Sequence, residues 1–148
     1  MDDKIQKKYF PMFIDLFEKN VVVIGGGTIA SRRVNTLVNF TEKMVIVSPK
    51  LTENLQKLYQ QGKIGWKQSE YQIEQIKTDC KKLEKEMGRQ ILVSVIDDRE
   101  LCDFYFPSIV ETEDVVIGIN SGGKSPSLTK QIRKEVEEVL KCNSIYKC

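Results

Sequence analysis

Val21-Val22-Val23-Ile24-Gly25-Gly26-Gly27-Thr28-Ile29-Ala30 decides the fold of this chain. Four apolar residues read as a buried strand. Three glycines break it. An apolar-periodic run follows, with Ile29, Ala30, Val34, Leu37 and Val38 on one face of a helix. The pattern is strand, G-x-G-x-x-A, helix. Gly25 permits the tight turn, Gly27 lets the backbone approach a pyrophosphate, and Ala30 lets the helix sit close to the strand. The helix N-terminus offers free N–H groups and a partial positive charge to that phosphate. Gly25, Gly26, Gly27, Thr28 and Ile29 are therefore expected to bind a dinucleotide. The alternative is a glycine-rich turn without a ligand. The strand before and the helix after favour the nucleotide.

Outward from this turn, Met44-Val45-Ile46-Val47 reads as a second buried strand, stopped by Ser48-Pro49. Nucleotide-binding units place an acid near here to hold the adenosine ribose. This chain has Ser48, so Ser48 and Pro49 are the expected ribose contacts. Arg32 and Arg33 lie nearby in sequence, and these residues leave NAD and NADP both open. Thr52 is a plausible N-cap for a short helix through Leu55, Leu58 and Tyr59, ended by Gly62. Ile64, Trp66 and Gln68 suggest a third strand, with Trp66 packing rather than binding. Upstream, Tyr9 to Leu16 is an apolar lead-in expected to pack on the sheet edge.

The later chain is less regular. From Tyr71 to Gln90 there is no apolar run long enough for a central strand, and Leu83, Glu86 and Met87 suit an amphipathic helix. Ile91 to Ile96 reads as a buried strand ended by Asp97-Asp98. Leu101 to Pro107 reads as a short helix or turn. Ser108 to Val110 and Val115 to Ile119 read as strands joined by an acidic turn. Asn120 to Ser125 forms a second glycine-bearing loop, Ser125 is an N-cap, and Pro126 opens a helix burying Leu128, Ile132, Val136, Val139 and Leu140.

The chain has 148 residues, which sets one principal domain with a small appendage as the expectation. Its 41% apolar and 30% charged fractions fit a globular protein. A net charge of +2 is too near neutral to argue for nucleic acid or a membrane surface. No apolar run approaches the ~20 residues of a membrane span. The polar start, Met1 to Lys8, lacks a signal-peptide core, so the expected location is the cytoplasm. Four cysteines without paired spacing read as reduced and structural. The absence of histidine removes His-based zinc sites, Ser-His-Asp triads and Cys-His pairs from this chain. No dedicated metal site is expected.

Four stretches together resemble the precorrin-2 dehydrogenase / sirohydrochlorin ferrochelatase family of sirohaem synthesis: Tyr9 to Leu16 (YFPMFIDL), Val23 to Arg33 (VIGGGTIASRR), Val93 to Val110 (VSVIDDRELCDFYFPSIV) and Ile119 to Ser127 (INSGGKSPS). The glycine loop is generic. The last two motifs together are more specific. The resemblance implies an α/β fold: a Rossmann-like doubly wound parallel sheet over 1–110, then a small α+β dimerisation segment over 111–148. It also implies a homodimer, NAD as cofactor and oxidation of precorrin-2 to sirohydrochlorin. Some members also insert Fe²⁺, and a non-catalytic NAD- or tetrapyrrole-binding module is a further alternative. By the same resemblance Asp97 is the catalytic group, with Asp98 as the spare, and Ser121 lies near the tetrapyrrole. Gly122, Gly123 and Lys124 complete the expected substrate loop. Its glycines and the following helix N-terminus suit a carboxylate.

Two departures stand out. The family has a hydrophobic fourth strand of the L-V-I-A-A-T-D kind. Here Lys77 to Leu83 lacks it, with Thr78-Asp79 as its tail, and roughly a dozen residues are short. Losing a central strand leaves unpaired backbone groups, so the expectation is that the sequence omits residues at this place, with a true deletion as the alternative. The family also continues past the position of Cys148 into a helical domain, which is expected to be absent here.

Overall fold

A computed structural model of the chain describes residues 9–95 and 102–142. They fall into two compact units. One comprises residues 13–91, the other residues 9–12 with 92–95 and 102–142.

The first unit is a Rossmann-like α/β arrangement. Its elements are β1 (Val21–Ile24), α1 (Thr28–Leu37), β2 (Met44–Val47), α2 (Glu53–Gln60), β3 (Gly65–Lys67) and α3 (Ile73–Met87). The three strands form a parallel sheet in the order β1-β2-β3. Register pairs Val21 with Met44 and Ile24 with Val47. Alternation along the pleat then puts Val21, Val23, Met44 and Ile46 toward the helices. Val34 from α1 and Leu55 from α2 meet them, and Leu51 and Ile64 complete the buried cluster. Ile46, Leu55 and Val34 are fully enclosed. Burying each such aliphatic side chain contributes about 1.5–3 kcal/mol. Trp66 packs at the rim, its ring edge-on to Tyr59 at 5.8 Å, and its indole N–H donates to the Ser48 carbonyl at 2.9 Å.

The opposite face is different. Val22, Ile24 and Val45 are 59%, 38% and 39% exposed, although parallel sheets are ordinarily covered on both sides. Among the described residues β1 pairs with β2 alone.

Two expectations are corrected here. Thr78-Asp79 is not the tail of a strand. Lys77 to Leu83 is the interior of α3, a helix rich in Lys and Glu, which favour helix. Thr78 donates to the Glu74 carbonyl at 3.0 Å, and Gly88, with φ +64°, closes the helix in the left-handed region. The strand expected over Ile91 to Ile96 is not formed over 91–95 (Ile96 lies outside the described residues). A central strand needs a neighbour on each side, and the sequence that would provide one is helical. The backbone groups bond to Asp103 and Cys102 instead. The Val93 N–H donates to the Asp103 carboxylate at 2.9 Å, and the Asp103 N–H returns to the Val93 carbonyl at 2.8 Å. Cys102 Sγ lies 3.1 Å from both the N and the O of Val95.

The lead-in also departs from expectation. Phe10, Met12 and Phe13 are 88%, 71% and 76% exposed. Tyr9 does find a partner, stacking edge-on with Tyr105 at 4.6 Å.

The second unit pairs β4 (Ser108–Glu111) antiparallel with β5 (Val116–Ile119), Ser108 opposite Ile119. In the turn between them the Val115 N–H donates to the Thr112 hydroxyl at 3.0 Å, and the Thr112 N–H donates to the Val115 carbonyl at 2.9 Å. The long α4 (Pro126–Cys142) packs on both strands.

Candidate functional site

The dinucleotide elbow is built by the end of β1 meeting the end of β2. Gly25 has φ +106°, a conformation that side chains disfavour, and its N–H donates to the Val47 carbonyl at 2.8 Å. Gly26 is buried. A Cβ built there would stand 2.0 Å from the Lys50 carbonyl oxygen and 2.7 Å from Ser48 Oγ, so the position admits no side chain. The Thr52 N–H donates to the Gly26 carbonyl at 3.0 Å, clasping the segment after β2 onto the elbow. Gly27 is exposed, and a Cβ there would meet nothing within 4 Å.

Gly27 is also the N-cap of α1, and no side chain caps that helix. The first intrahelical bond runs from the Ser31 N–H to the Gly27 carbonyl. Thr28 and Ile29 are exposed at the open end, and Ala30 is buried. An uncapped helix N-terminus above a bare glycine is the geometry a pyrophosphate needs. These residues fit a dinucleotide.

The expected ribose contacts are arranged less simply. Ser48 is 5% exposed and its hydroxyl donates to the Lys50 carbonyl at 2.7 Å. Its N–H donates to Lys67 O and its carbonyl accepts from Trp66. Pro49 is exposed, and its carbonyl accepts from Gln68 Nε2 at 3.2 Å. Thr52 stands at the N-cap of α2 without capping it, and its Oγ1 is buried with no hydrogen-bond partner among the described residues. Sequence reading passed over Lys50. The signal was available: it follows the strand end by three positions, and no acid lies between Val47 and Glu53.

The second unit holds the substrate loop. The Gly122 N–H donates to Asn120 Oδ1 at 2.8 Å, an Asx turn. It sets Gly122 and Gly123 at φ +63° and +73°. The Ser125 N–H donates to Ser121 Oγ at 3.1 Å, and Ser125 Oγ accepts from the Leu128 N–H at 3.4 Å. A cavity of about 220 Å³ opens beside this loop, lined on the polar side by Asn120, Ser121, Gly123 and Thr129 and on the apolar side by Phe106 and Ile119. Lys124 is exposed. Asn120 and Thr129 were not foreseen as lining residues. The Asn-x-Gly spacing is the sequence signal for the first. Asp97 and Asp98 lie outside the described residues.

Residues 12–108 match the family described as "Putative NAD(P)-binding". Among curated relatives, the chain is 37% identical to a siroheme synthase of Mannheimia succiniciproducens, over 89% of its own length and 30% of the relative's. It is 35% identical to a siroheme synthase of Photorhabdus laumondii, over 89% of its length and 31% of the relative's. The chain thus spans about a third of the length of these relatives. Among solved structures, "SirC, precorrin-2 dehydrogenase" superposes with a TM-score of 0.63 at 20% identity, covering 88% of this chain and 71% of that one, which supports the fold. No helix among the described residues is long and apolar enough to cross a membrane. With its glycine elbow, its parallel strands and a match over most of its length, the chain belongs to the NAD(P)-binding family.

Proposed function

We propose that this chain oxidises precorrin-2 to sirohydrochlorin with NAD⁺ in sirohaem biosynthesis. The observation that carries the reading is the elbow at Gly25 to Gly27, a bare turn beneath an uncapped helix, in a chain similar to siroheme synthases over 89% of its length. The oxidation removes two hydrogens from the reduced macrocycle. Bound NAD⁺ supplies the acceptor for the one that leaves as hydride. Asp97 takes the other as a proton, so its carboxylate must be ionised when substrate arrives. Gly25, Gly26, Gly27, Thr28 and Ile29 hold the diphosphate, and Ser48 and Pro49 shape the ribose end.

The cavity at Ser121 receives a carboxylate-bearing edge of the tetrapyrrole. At about 220 Å³ it is sized for a side arm rather than the whole macrocycle. Ser121 Oγ already accepts from the Ser125 N–H, which leaves its own proton to donate. Gly122, Gly123 and the ammonium of Lys124 complete this end. The assembly is a cytoplasmic homodimer joined through Val115 to Ile119 and α4, where Leu128 and Val139 are 50% and 56% exposed.

Purified chain supplied with precorrin-2 and NAD⁺ is expected to form NADH and sirohydrochlorin together. Asp97→Ala is expected to stop turnover and still bind NAD⁺. Unchanged turnover in that variant removes Asp97 from the mechanism, and wild-type chain that binds both ligands without forming NADH is a binding module.

A further inference from the structure

We infer that Asn54 is a positioning residue for the dinucleotide: its side-chain amide fixes the first turn of α1 over the glycine elbow and so aims the N–H groups of that turn at the diphosphate. The inference rests on the dinucleotide reading above and adds to it a residue from outside the elbow and its helix.

Asn54 stands in the first turn of α2 and reaches across to α1. Its Nδ2 donates to Ser31 Oγ at 3.0 Å and to Asn35 Oδ1 at 2.8 Å. Ser31 and Asn35 are four apart, so they stand one above the other on one face of the helix. An amide nitrogen carries two hydrogens, and here each has its own acceptor. Ser31 is 8% exposed, so that end of the contact is closed to water. Ser31 is also the residue whose N–H closes the first turn of α1 on the Gly27 carbonyl, at 2.9 Å. Asn54 therefore grips α1 at the turn whose remaining N–H groups have no partner within the helix.

The same stretch grips the elbow. Two residues earlier, the Thr52 N–H donates to the Gly26 carbonyl at 3.0 Å. Residues 52–54 are thus tied both to the glycine turn and to the helix that follows it. Next in the chain, Leu55 is buried in one cluster with Val34 of α1. That apolar contact holds the two helices together, but burial is non-directional and leaves α1 able to roll or slide on its neighbour. Hydrogen bonds weaken steeply with angle, so the pair from Asn54 fixes the roll. A helix N-terminus acts on an anion only within its first turn. A small roll of α1 takes its N–H groups off the diphosphate and unfolds nothing.

The test is calorimetric binding of NAD⁺ to the purified chain, with adenosine, which lacks the diphosphate, measured by competition. Asn54→Ala is expected to weaken NAD⁺ binding about fivefold to tenfold, the scale on which a helix N-terminus holds an anion, and to leave adenosine affinity as it was. Asn35→Ala is expected to weaken NAD⁺ binding to a smaller extent, because Ser31 still accepts. Alanine is the better helix former, so the melting temperature of that variant should hold. Asn35→Asp keeps the acceptor oxygen and should restore most of the binding. Equal loss of NAD⁺ and adenosine in Asn54→Ala overturns the inference and leaves the dinucleotide reading intact. So does a wild-type NAD⁺ affinity in that variant. Should Asn54→Ala fail to fold, the Asn35 pair decides: equal NAD⁺ affinity in Asn35→Ala and Asn35→Asp overturns the inference. Failure of wild type to bind NAD⁺ overturns both.

Discussion

The Lys50 carbonyl oxygen occupies the space that any side chain at position 26 would need, 2.0 Å from an ideal Gly26 Cβ. The three glycines of the elbow are therefore three different requirements. Gly25 is required by its φ of +106°, Gly26 by contact with the chain's own backbone, and Gly27 by no atom of the described residues within 4 Å of the missing Cβ. Protein packing explains the second, and the space for a ligand explains the third.

Gly26→Ala and Gly27→Ala should consequently fail in different ways. The first forces backbone against backbone, and overpacking of this kind costs about 1–3 kcal/mol. A lowered melting temperature in the absence of ligand is the expected readout. The second fills open space, and its cost to stability is limited to an altered N-cap, about 1 kcal/mol or less. Its effect should appear as weakened dinucleotide binding in calorimetry. Equal melting temperatures for wild type and Gly26→Ala contradict the contact.

At the second loop, Asn120 holds Gly122 and Ser121 holds Ser125. Asn120→Ala removes the Asx turn and frees two glycines whose positive φ values it sets. Conformational freedom returned to such residues is of order 1 kcal/mol each. We expect the KM for the tetrapyrrole to rise several-fold while NAD⁺ affinity is retained. Asn120→Asp keeps the acceptor oxygen and should rescue most of the loss. A change confined to NAD⁺ binding contradicts the assignment of this loop to the substrate.

Within the first unit, Tyr71 and Gln75 donate hydrogen bonds to Asp79, and those bonds hold its carboxyl below the usual value. The same bond to Asp79 pushes the Tyr71 phenol up. The signs follow from linkage. Asp79 contributes stability at pH values above the unfolded carboxyl pKa, and that contribution is lost as pH falls through its lowered native pKa. Tyr71 contributes below the unfolded phenol pKa, and loses it as pH rises through the raised one. Tyr71 is exposed and Asp79 only half-buried, so the effect on global melting is small. The direct measurement is a carboxyl NMR titration. In Tyr71→Phe the Asp79 pKa should move up toward its ordinary value, and an unmoved titration excludes the bond.

Much of the first unit is legible because its strands are short apolar runs between breakers. Val21 to Ile24 ends at Gly25, and Met44 to Val47 ends at Ser48-Pro49. The α4 helix is announced by Ser125-Pro126. The run Ile91 to Val95 looks just as convincing as a strand, yet no ladder forms over it. Apolar content states that a segment seeks cover, and it carries no record of whether a neighbouring strand exists. The sequence from Lys77 to Leu83 carried that record, through its charge and its helix-forming composition. The candidate site divides in the same way. The glycine turn is written in residue types. The commitment of Ser48 to Lys50 is a bond to a main-chain carbonyl, which every residue possesses, so side-chain identity does not announce it.

Among the described residues β1 is paired on one side only, and this has a consequence far from any chemistry. Val21 to Ile24 is an uncharged tetrapeptide of β-branched residues, with ladder bonds on one side among the described residues and with Val22 more than half exposed. Natural sheets blunt such flanks with lysine, proline or a bulge, and here none interrupts the run. A passing extended segment from another molecule finds donors, acceptors and apolar side chains already aligned for lateral pairing. Crowding is therefore expected to act on this protein through the very strand that aims its turn.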